Sequence, residues 1–325
     1  MSANLRVIVL LFMIALVGVM WAMAFASKQQ EKVASGVAAL DPREFETLTL
    51  VSAGTGGTFE NQWRRGPALV VGIGTDIVLI DAGRSVTESL RAVNIPVHQP
   101  RTLLLSSLAP ENLLGLDDLW LDAWLHGPET PLEIYGPVGT QAIVDGLIAA
   151  LSTPRQILVE GWQPNPAGGE LRVTELSGGE QFQVGALQIE CAAIPGAGST
   201  ALGWRIEAGD RIVAVAVAGS DHEAIAELAK GAHVLAVEGV YGASLEMAAE
   251  SDLEFEGLDI LEREAAHHIR LEDVGAIATA AEVYSVLLTR LRPPPVFEFQ
   301  YENLVGETFR RGPVFIAEDG EAVTP

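Results

Sequence analysis

The chain has 325 residues, 49% of them hydrophobic and 19% charged, which is enough apolar material for a sizeable core and excludes a disordered chain. Its 43 acidic and 20 basic residues give a formal net charge of −23, a surface that repels nucleic-acid phosphates and argues against a nucleic-acid partner. A single cysteine, Cys191, excludes an internal disulfide; within the apolar run LQIECAAI it reads as a buried, inert thiol.

In chain order, VIVLLFMIALVGVMWAMAFA (Val7–Ala26) is an uncharged apolar run long enough to cross a bilayer as a helix. Ala22, Ala24 and Ala26 also resemble a signal-peptidase site, so the alternative to an uncleaved anchor is a cleaved signal. Either reading puts the rest of the chain on the periplasmic or extracytoplasmic side of a membrane. The domain reading is residues 1–26 as anchor or signal, 27–43 as a polar, Ala-rich tether, and 44–325 as the folded domain.

From Glu44 onward, short Val/Ile/Leu runs alternate with amphipathic ones. TLTLVSAG, PALVVGIG, DIVLIDAG and TLLLSSL read as strands, and Gly74-Thr75-Asp76 between two of them is a hairpin signal. SVTESLRAVNI and ENLLGLDDLWLDAWL have helical spacing; the Leu and Trp stripe of the second, Leu116–Leu125, reads as core. PLEIYGP is a strand and VGTQAIVDGLIAAL a helix, followed by the loop-like GWQPNPAGGEL. The second half repeats the scheme with the strands ALQIECAAI, LGWRIEAG, RIVAVAVAG, HVLAVEGV and SVLLTRL, and the helices DHEAIAELAK and RLEDVGAIATAAEV. Hairpins followed by strand–helix units, twice over, imply two sheets with helices outside, a four-layer αββα sandwich.

Several isolated features carry little chemistry. His222 reads as a helix-start residue beside an N-cap Asp221, and His233 as a strand-edge residue; their separation fits neither i,i+4 nor His-x-His metal spacing. His267, if extended, points away from its neighbour His268. Gly54–Thr58 (GTGGT) lacks the Gly-Lys-Ser/Thr ending of a phosphate loop and reads as a turn.

LVSAGTGG with RRGPALVV, VLIDAGRSVTESLRAVNI, GLDDLWLDAWLHGPETPLEIYGPVGTQAIVDGL, ALGWRIEAGDRIVAVAVAG, LAKGAHVLAVEG and HIRLEDVGAIATAAEVYSVLLTRLRPPP follow one another in the order of a known frame. Together they resemble the metallo-β-lactamase fold superfamily, in the branch of ribonuclease Z and the arylsulfatase-type hydrolases. The resemblance implies an αββα fold and a two-zinc site built on a His-x-His-x-Asp-His loop, a later His, an Asp and a last His. Such ligands hold zinc at about 2.0–2.2 Å and let it activate water.

Placed in that frame, the metal positions of this chain are vacated. Ser107 and Ala109 stand for the first two histidines, Glu111 for the aspartate and Asn112 for the third histidine. The later histidine falls near Pro195 or Gly196, and no histidine lies between Gly127 and Asp221. Ser220 stands at the bridging aspartate and Arg290 at the last histidine. Hydroxyls, a methyl and an amide do not replace imidazoles as zinc ligands, so no metal cofactor is expected.

The frame also matches Glu238, an acidic residue beside the site, and His268, a non-ligand histidine held near it. They are read as a remnant catalytic pair, with Ser106 and Ser107 as its candidate nucleophiles. Arg290 is expected to fill the vacated site by a charge-assisted contact to Glu111 or Glu238. The function this implies is a membrane-tethered pseudoenzyme binding an unknown protein or small-molecule partner, with a homodimer as the expected assembly. The alternative is a hydrolase of the esterase, sulfatase or phosphodiesterase type with an atypical site, with zinc as its cofactor.

Overall fold

A computed structural model of the chain describes residues 3–37, 40–58, 61–127, 129–196, 199–242 and 258–325. Two compact units are present, Met1–Asp41 and Pro42–Pro325. The first is one long helix, α1 (Ala3–Val37). Its stretch Leu11–Gln30 has a mean hydropathy of 1.8 over 20 residues, which by length and composition suffices to cross a membrane. Phe12, Trp21 and Met23 are exposed, and apolar side chains occur all round the helix, as suits a lipid-facing span. Helical structure continues to Val37, through most of the polar, Ala-rich stretch expected as a tether.

In the second unit, the first half builds β1 (Phe45–Gly54), β2 (Ala68–Gly74), β3 (Asp76–Ile80), α2 (Val86–Ala92), β4 (Thr102–Leu104), α3 (Pro110–Leu113), α4 (Leu116–His126), β5 (Leu132–Pro137), α5 (Thr140–Ala150), α6 (Ser152–Trp162) and β6 (Leu171–Leu176). The second half builds β7 (Gln181–Val184), β8 (Leu187–Gly196), β9 (Ser199–Ala208), β10 (Arg211–Ala216), α7 (His222–Leu228), β11 (Val234–Val237), α8 (Leu258–His267), α9 (Leu271–Ala280), β12 (Val286–Leu288), α10 (Glu298–Thr308), β13 (Val314–Ile316) and β14 (Ala322–Val323).

One sheet has the order β14-β1-β2-β3-β4-β5-β6 and the other β13-β12-β11-β10-β9-β8-β7. The expected hairpin is present: β2 and β3 pair antiparallel around Gly74, whose φ of 56° suits glycine. Leu50, Val71, Leu104, Ile189, Trp204, Val215 and Leu287 fill the space between the sheets. Leu79, Ile134, Leu90 and Leu119 seal the first sheet against α2 and α4. Leu235, Leu288, Ile225, Ile277 and Val305 do the same for the second sheet with α7, α9 and α10. The result is the four-layer helix–sheet–sheet–helix sandwich expected from the alternating elements.

The segment ENLLGLDDLWLDAWL is two helices, α3 and α4, rather than one. Gly115 breaks it, because a Cβ there would collide with the carbonyl of Gly83. Leu116, Leu119, Trp120 and Trp124 are buried, so the stripe is core, and the two indole N–H groups donate to Gly169 O and Asn165 O. Asp221 caps α7 by accepting from Ala224 N at 2.8 Å. His267 is the last residue of α8, not part of an extended segment. Cys191 is buried in β8, and burial pushes its thiol up to about 12.

This topology sets the position of the site. Strands β3 and β4 run parallel, as do β10, β11 and β12, so their carboxyl ends open onto loops where αβ folds place ligands. Asp81 follows β3, Ser106–Asn112 follow β4, Val217–Ser220 follow β10, Glu238 follows β11, and Thr289–Arg292 follow β12.

Candidate functional site

The structure gathers most of these residues into a buried ionic network. At one end, Ser106 N donates to Asp81 Oδ1 at 2.7 Å. Arg290 Nη2 donates to Asp81 Oδ2 at 2.7 Å, and both side chains are fully buried. Burial pushes the Asp81 carboxyl up, against the pull of the Arg290 charge and the Ser106 N–H. Arg290 Nη1 also donates to Asn112 Oδ1 at 3.0 Å and to Val217 O at 3.4 Å. The Asn112 amide donates in turn to Ser107 Oγ at 2.8 Å, and Ala109 N donates to the same hydroxyl at 3.2 Å. Ser107, Ala109, Asn112 and Arg290 thus make one neutral-to-cationic lattice where the resemblance implies imidazoles.

The expected partner of Arg290 was Glu111 or Glu238. The partner is Asp81, and the cation that takes both glutamates is Arg292. Arg292 Nη2 donates to Glu111 Oε1 at 2.6 Å, Nη1 to Glu238 Oε2 at 2.9 Å and to Arg290 O at 2.9 Å, and Nε lies 2.7 Å from Glu264 Oε2. The reason is local. Arg290 and Arg292 are two residues apart beyond β12, and Arg290 has φ 51°, a left-handed turn that separates their directions. Arg290 therefore reaches the end of the first sheet, and Arg292 reaches the β11 loop and α8.

Glu238 and His268 are together, with His268 Nδ1 2.6 Å from Glu238 Oε1. The other ring nitrogen, Nε2, is 3.3 Å from Glu264 Oε2. Glu264 and His268 are i,i+4 at the end of α8, and His268 N donates to Glu264 O at 3.0 Å, so the helical turn itself sets that contact. Thr58 Oγ1 ties the ring shut by donating to Glu111 and, at 3.1 Å, to Glu264.

Burial opposes charge on His268, but Glu238 and Glu264 outweigh it and raise its pKa from 6.5 to about 9. Burial works against ionisation of Glu238 as well, yet the charges of His268 and Arg292 hold its carboxyl below the ordinary carboxylate range. Glu264 is held down at about 2, chiefly by His268 and Arg292 against its own burial. Three carboxylates and two cations, Arg292 and His268, therefore form a largely buried charged cluster. The buried guanidinium of Arg292 is held protonated still more firmly than usual, because its three carboxylates outweigh the cost of burial.

Two consequences for chemistry follow. Both imidazole nitrogens face carboxylates, so His268 activates neither Ser106 nor Ser107; Ser106 Oγ is buried without a partner and Ser107 Oγ accepts from Asn112. Nor do the residues fit the zinc pair that the fold implies. Among the described residues no group of three or more His, Cys, Asp or Glu is arranged to hold a metal ion. The guanidinium of Arg290, which donates only, stands at one ligand position, and that of Arg292 engages the carboxylates of Glu111 and Glu238.

Ser220 takes part through its backbone, donating to Pro195 O at 2.9 Å. His222 Nε2 lies 3.8 Å from Asp273 on the surface, and His233 stacks on Tyr284 and accepts from Ile212 N, both remote from the cluster in their contacts. A cavity of about 640 Å³ opens beside the vacated loop, walled by Ser107, Leu108, Ala109, Val138, Leu176 and Leu202. Arg292, Glu264 and Asp81 were not singled out from the sequence. The signals were there: TRLR places two arginines with strand spacing, and Glu264 precedes His268 by one helical turn.

No protein-family model matches the chain. The ribonuclease Z of Mycobacterium sp. (strain KMS) is 25% identical over 244 residues, 74% of this chain and 83% of that relative. The ribonuclease Z of Mycolicibacterium gilvum is 33% identical over 102 residues, but this match spans only 36% of the relative and 30% of this chain. Among solved structures, the metallo-β-lactamase fold protein YhfI from Bacillus subtilis superposes with a TM-score of 0.62 at 18% identity, covering 85% of this chain and 99% of that one. The short form of human tRNase Z gives 0.61 at 16% identity, covering 85% and 98%. With two seven-stranded sheets flanked by helices and neighbours of this kind, the chain has the metallo-β-lactamase fold, and its sequence is similar to that of the ribonucleases Z.

Proposed function

We propose that this protein is a pseudoenzyme derived from the hydrolases it resembles, anchored to a membrane by α1, whose domain binds a partner or small ligand without metal-dependent turnover. The observation that carries this reading is the ion-pair cluster of Arg290 and Arg292 with Asp81, Glu111, Glu238 and Glu264. A metal pair brings positive charge to a set of ligands; here guanidinium charge neutralises the remaining carboxylates. His268 also supports the reading. It is a cation at neutral pH with both nitrogens engaged, so it has no free lone pair with which to take a proton from water. The apolar cavity beside Ser107 and Ala109 offers a binding site of ordinary ligand size. Membrane anchoring rests on the length and apolar composition of α1, and its placement of the domain outside the cytoplasm is part of the same proposal.

The test is turnover of activated phosphodiesters and esters by the purified full-length chain, with and without added zinc or manganese. No metal-dependent turnover above a heat-denatured control is expected. Turnover that a chelator abolishes and zinc restores would contradict the proposal and favour a hydrolase with an atypical site.

A further inference from the structure

One face of the domain exposes large apolar side chains that no element of the described residues covers. Trp63 is 79% exposed, Val296 85%, Phe297 55% and Phe299 57%. Trp63 lies in one loop, and Val296, Phe297 and Phe299 lie where a second loop runs into α10; an ion pair at 3.8 Å between Arg64 Nη2 and Glu298 Oε1 joins the two. The second loop is not slack. It follows Pro293–Pro295, whose rings restrict φ, and the buried Tyr301 holds it from beneath by donating to Pro293 O at 3.1 Å. The aromatic tips are thus held outward.

The Trp63 loop also walls a cleft of about 880 Å³ with Gly56, Arg65, Gly66, Arg84 and Ser85. Close packing fixes its two sides: a Cβ on Gly66 would collide with the backbone of Arg84. Arg64 is used internally, donating to Thr55 Oγ1 at 2.9 Å and Ala317 O at 2.6 Å. Asp319, the nearby acid, accepts from Thr55 and from the backbone N–H of Arg65 at 2.7 Å. The side chains of Arg65 and Arg84 have no ion-pair partner among the described residues. Among the described residues this cleft therefore holds two guanidiniums without an ion-pair partner, on a chain of net charge −23.

We propose that this face docks on the lipid bilayer, with Trp63, Val296, Phe297 and Phe299 entering the interfacial region and Arg65 and Arg84 holding an anionic lipid headgroup in the cleft. Exposed Trp and Phe beside arginine is the composition that settles at headgroup depth. The rest of the acidic surface is repelled by anionic lipid, so the local cations orient this face toward it. The proposal rests on the anchoring reading: the domain begins at Pro42, a few residues after α1 ends at Val37, and such a tether holds the domain at high effective concentration near the bilayer, so a weak contact suffices.

The experiment uses the full chain reconstituted in vesicles of phosphatidylcholine, with or without phosphatidylglycerol, carrying brominated acyl chains. Emission of Trp63 is isolated as the difference from Trp63→Phe, and emission of Trp21 in α1 as the difference from Trp21→Phe. Expected are quenching of both tryptophans and a blue-shifted Trp63 component, with the Trp63 quenching reduced in Arg65→Gln/Arg84→Gln only where phosphatidylglycerol is present. Quenched Trp21 with an unquenched, red-emitting Trp63 would overturn the docking face and leave the anchor intact. A blue-shifted but unquenched Trp63 would mark a contact with a second copy and also overturn it. Loss of the chain from vesicles in an alkaline wash would overturn the anchor, and the docking proposal with it.

Discussion

Arg292 donates to Glu238 across 2.9 Å with both side chains fully buried, at the edge of the sandwich where the fold family carries metal. The same guanidinium reaches Glu111 in α3 and Glu264 in α8, so one cation organises three carboxylates from three separate segments. Truncating it leaves those carboxylates uncompensated in a low-dielectric environment. Arg292→Ala is therefore expected to destabilise the domain by roughly 3–5 kcal/mol, the range for breaking a buried pair from one side. Arg292→Lys keeps the charge but loses the planar fork, and should fall between that variant and the wild type. Denaturant titration of the full chain in detergent, followed by near-ultraviolet circular dichroism, measures both; equal stability of all three proteins would show the cluster to be incidental.

Asp81 and Arg290 form a second, separable pair at 2.7 Å. Their side chains share a direct contact, so their substitutions should not add. A double-mutant cycle with Asp81→Asn and Arg290→Met is expected to give a coupling energy of about 2 kcal/mol. Strict additivity would mean the contact contributes nothing to the folded state.

The His268 pair makes stability pH-dependent with a definite sign. The folded-state pKa is raised from 6.5 to about 9, so its contribution is complete below pH 6.5 and is lost as pH rises through about 9. Because the ring is mostly buried, the full loss is on the order of 3 kcal/mol. Glu264, depressed from 4.5 to about 2, reports the acid side of the same contact: its contribution is present above pH 4.5 and is lost as pH falls through about 2. The two losses describe one cluster from its two ends and are not summed. His268→Gln should flatten the alkaline limb of the stability curve while leaving the neutral-to-acid limb sloped. An alkaline limb unchanged by that substitution would assign the titration to another group.

Cys191 offers a simple check of the core between the sheets. It is buried and its thiol is pushed up to about 12, so a thiol reagent at pH 8 should modify it only as fast as the domain unfolds. Modification at the rate of a free thiol would contradict the burial of β8.

The sandwich was legible in the sequence because apolar periodicity and turn residues act locally. The Gly74 hairpin and the Asp221 cap each follow from a few neighbouring residues. The split at Leu114-Gly115 was not legible, because its cause is the approach of Gly83 from a distant loop. The same distinction holds in the site. The frame brought Ser107, Asn112, Glu238, His268 and Arg290 to the right end of the sheets, and the Glu238–His268 contact is present. The choice between Arg290 and Arg292 for Glu111 was not legible, because it depends on the left-handed φ of Arg290 and on Asp81 standing opposite it. Glu264 was missed for a simpler reason: it lies one helical turn from His268 but outside the metal-ligand frame that directed attention to that histidine.

The most direct measurement is metal content. The full-length chain would be loaded with zinc, dialysed, and its metal per chain counted by mass spectrometry, with Arg290→His/Arg292→Gln alongside to relieve the two guanidiniums. Near-zero zinc in the wild type is expected, because the donors are hydroxyls, an amide and carboxylates already held by arginine. One or two tightly held ions per wild-type chain would contradict the central claim and make a metal-dependent hydrolase the better reading of the fold.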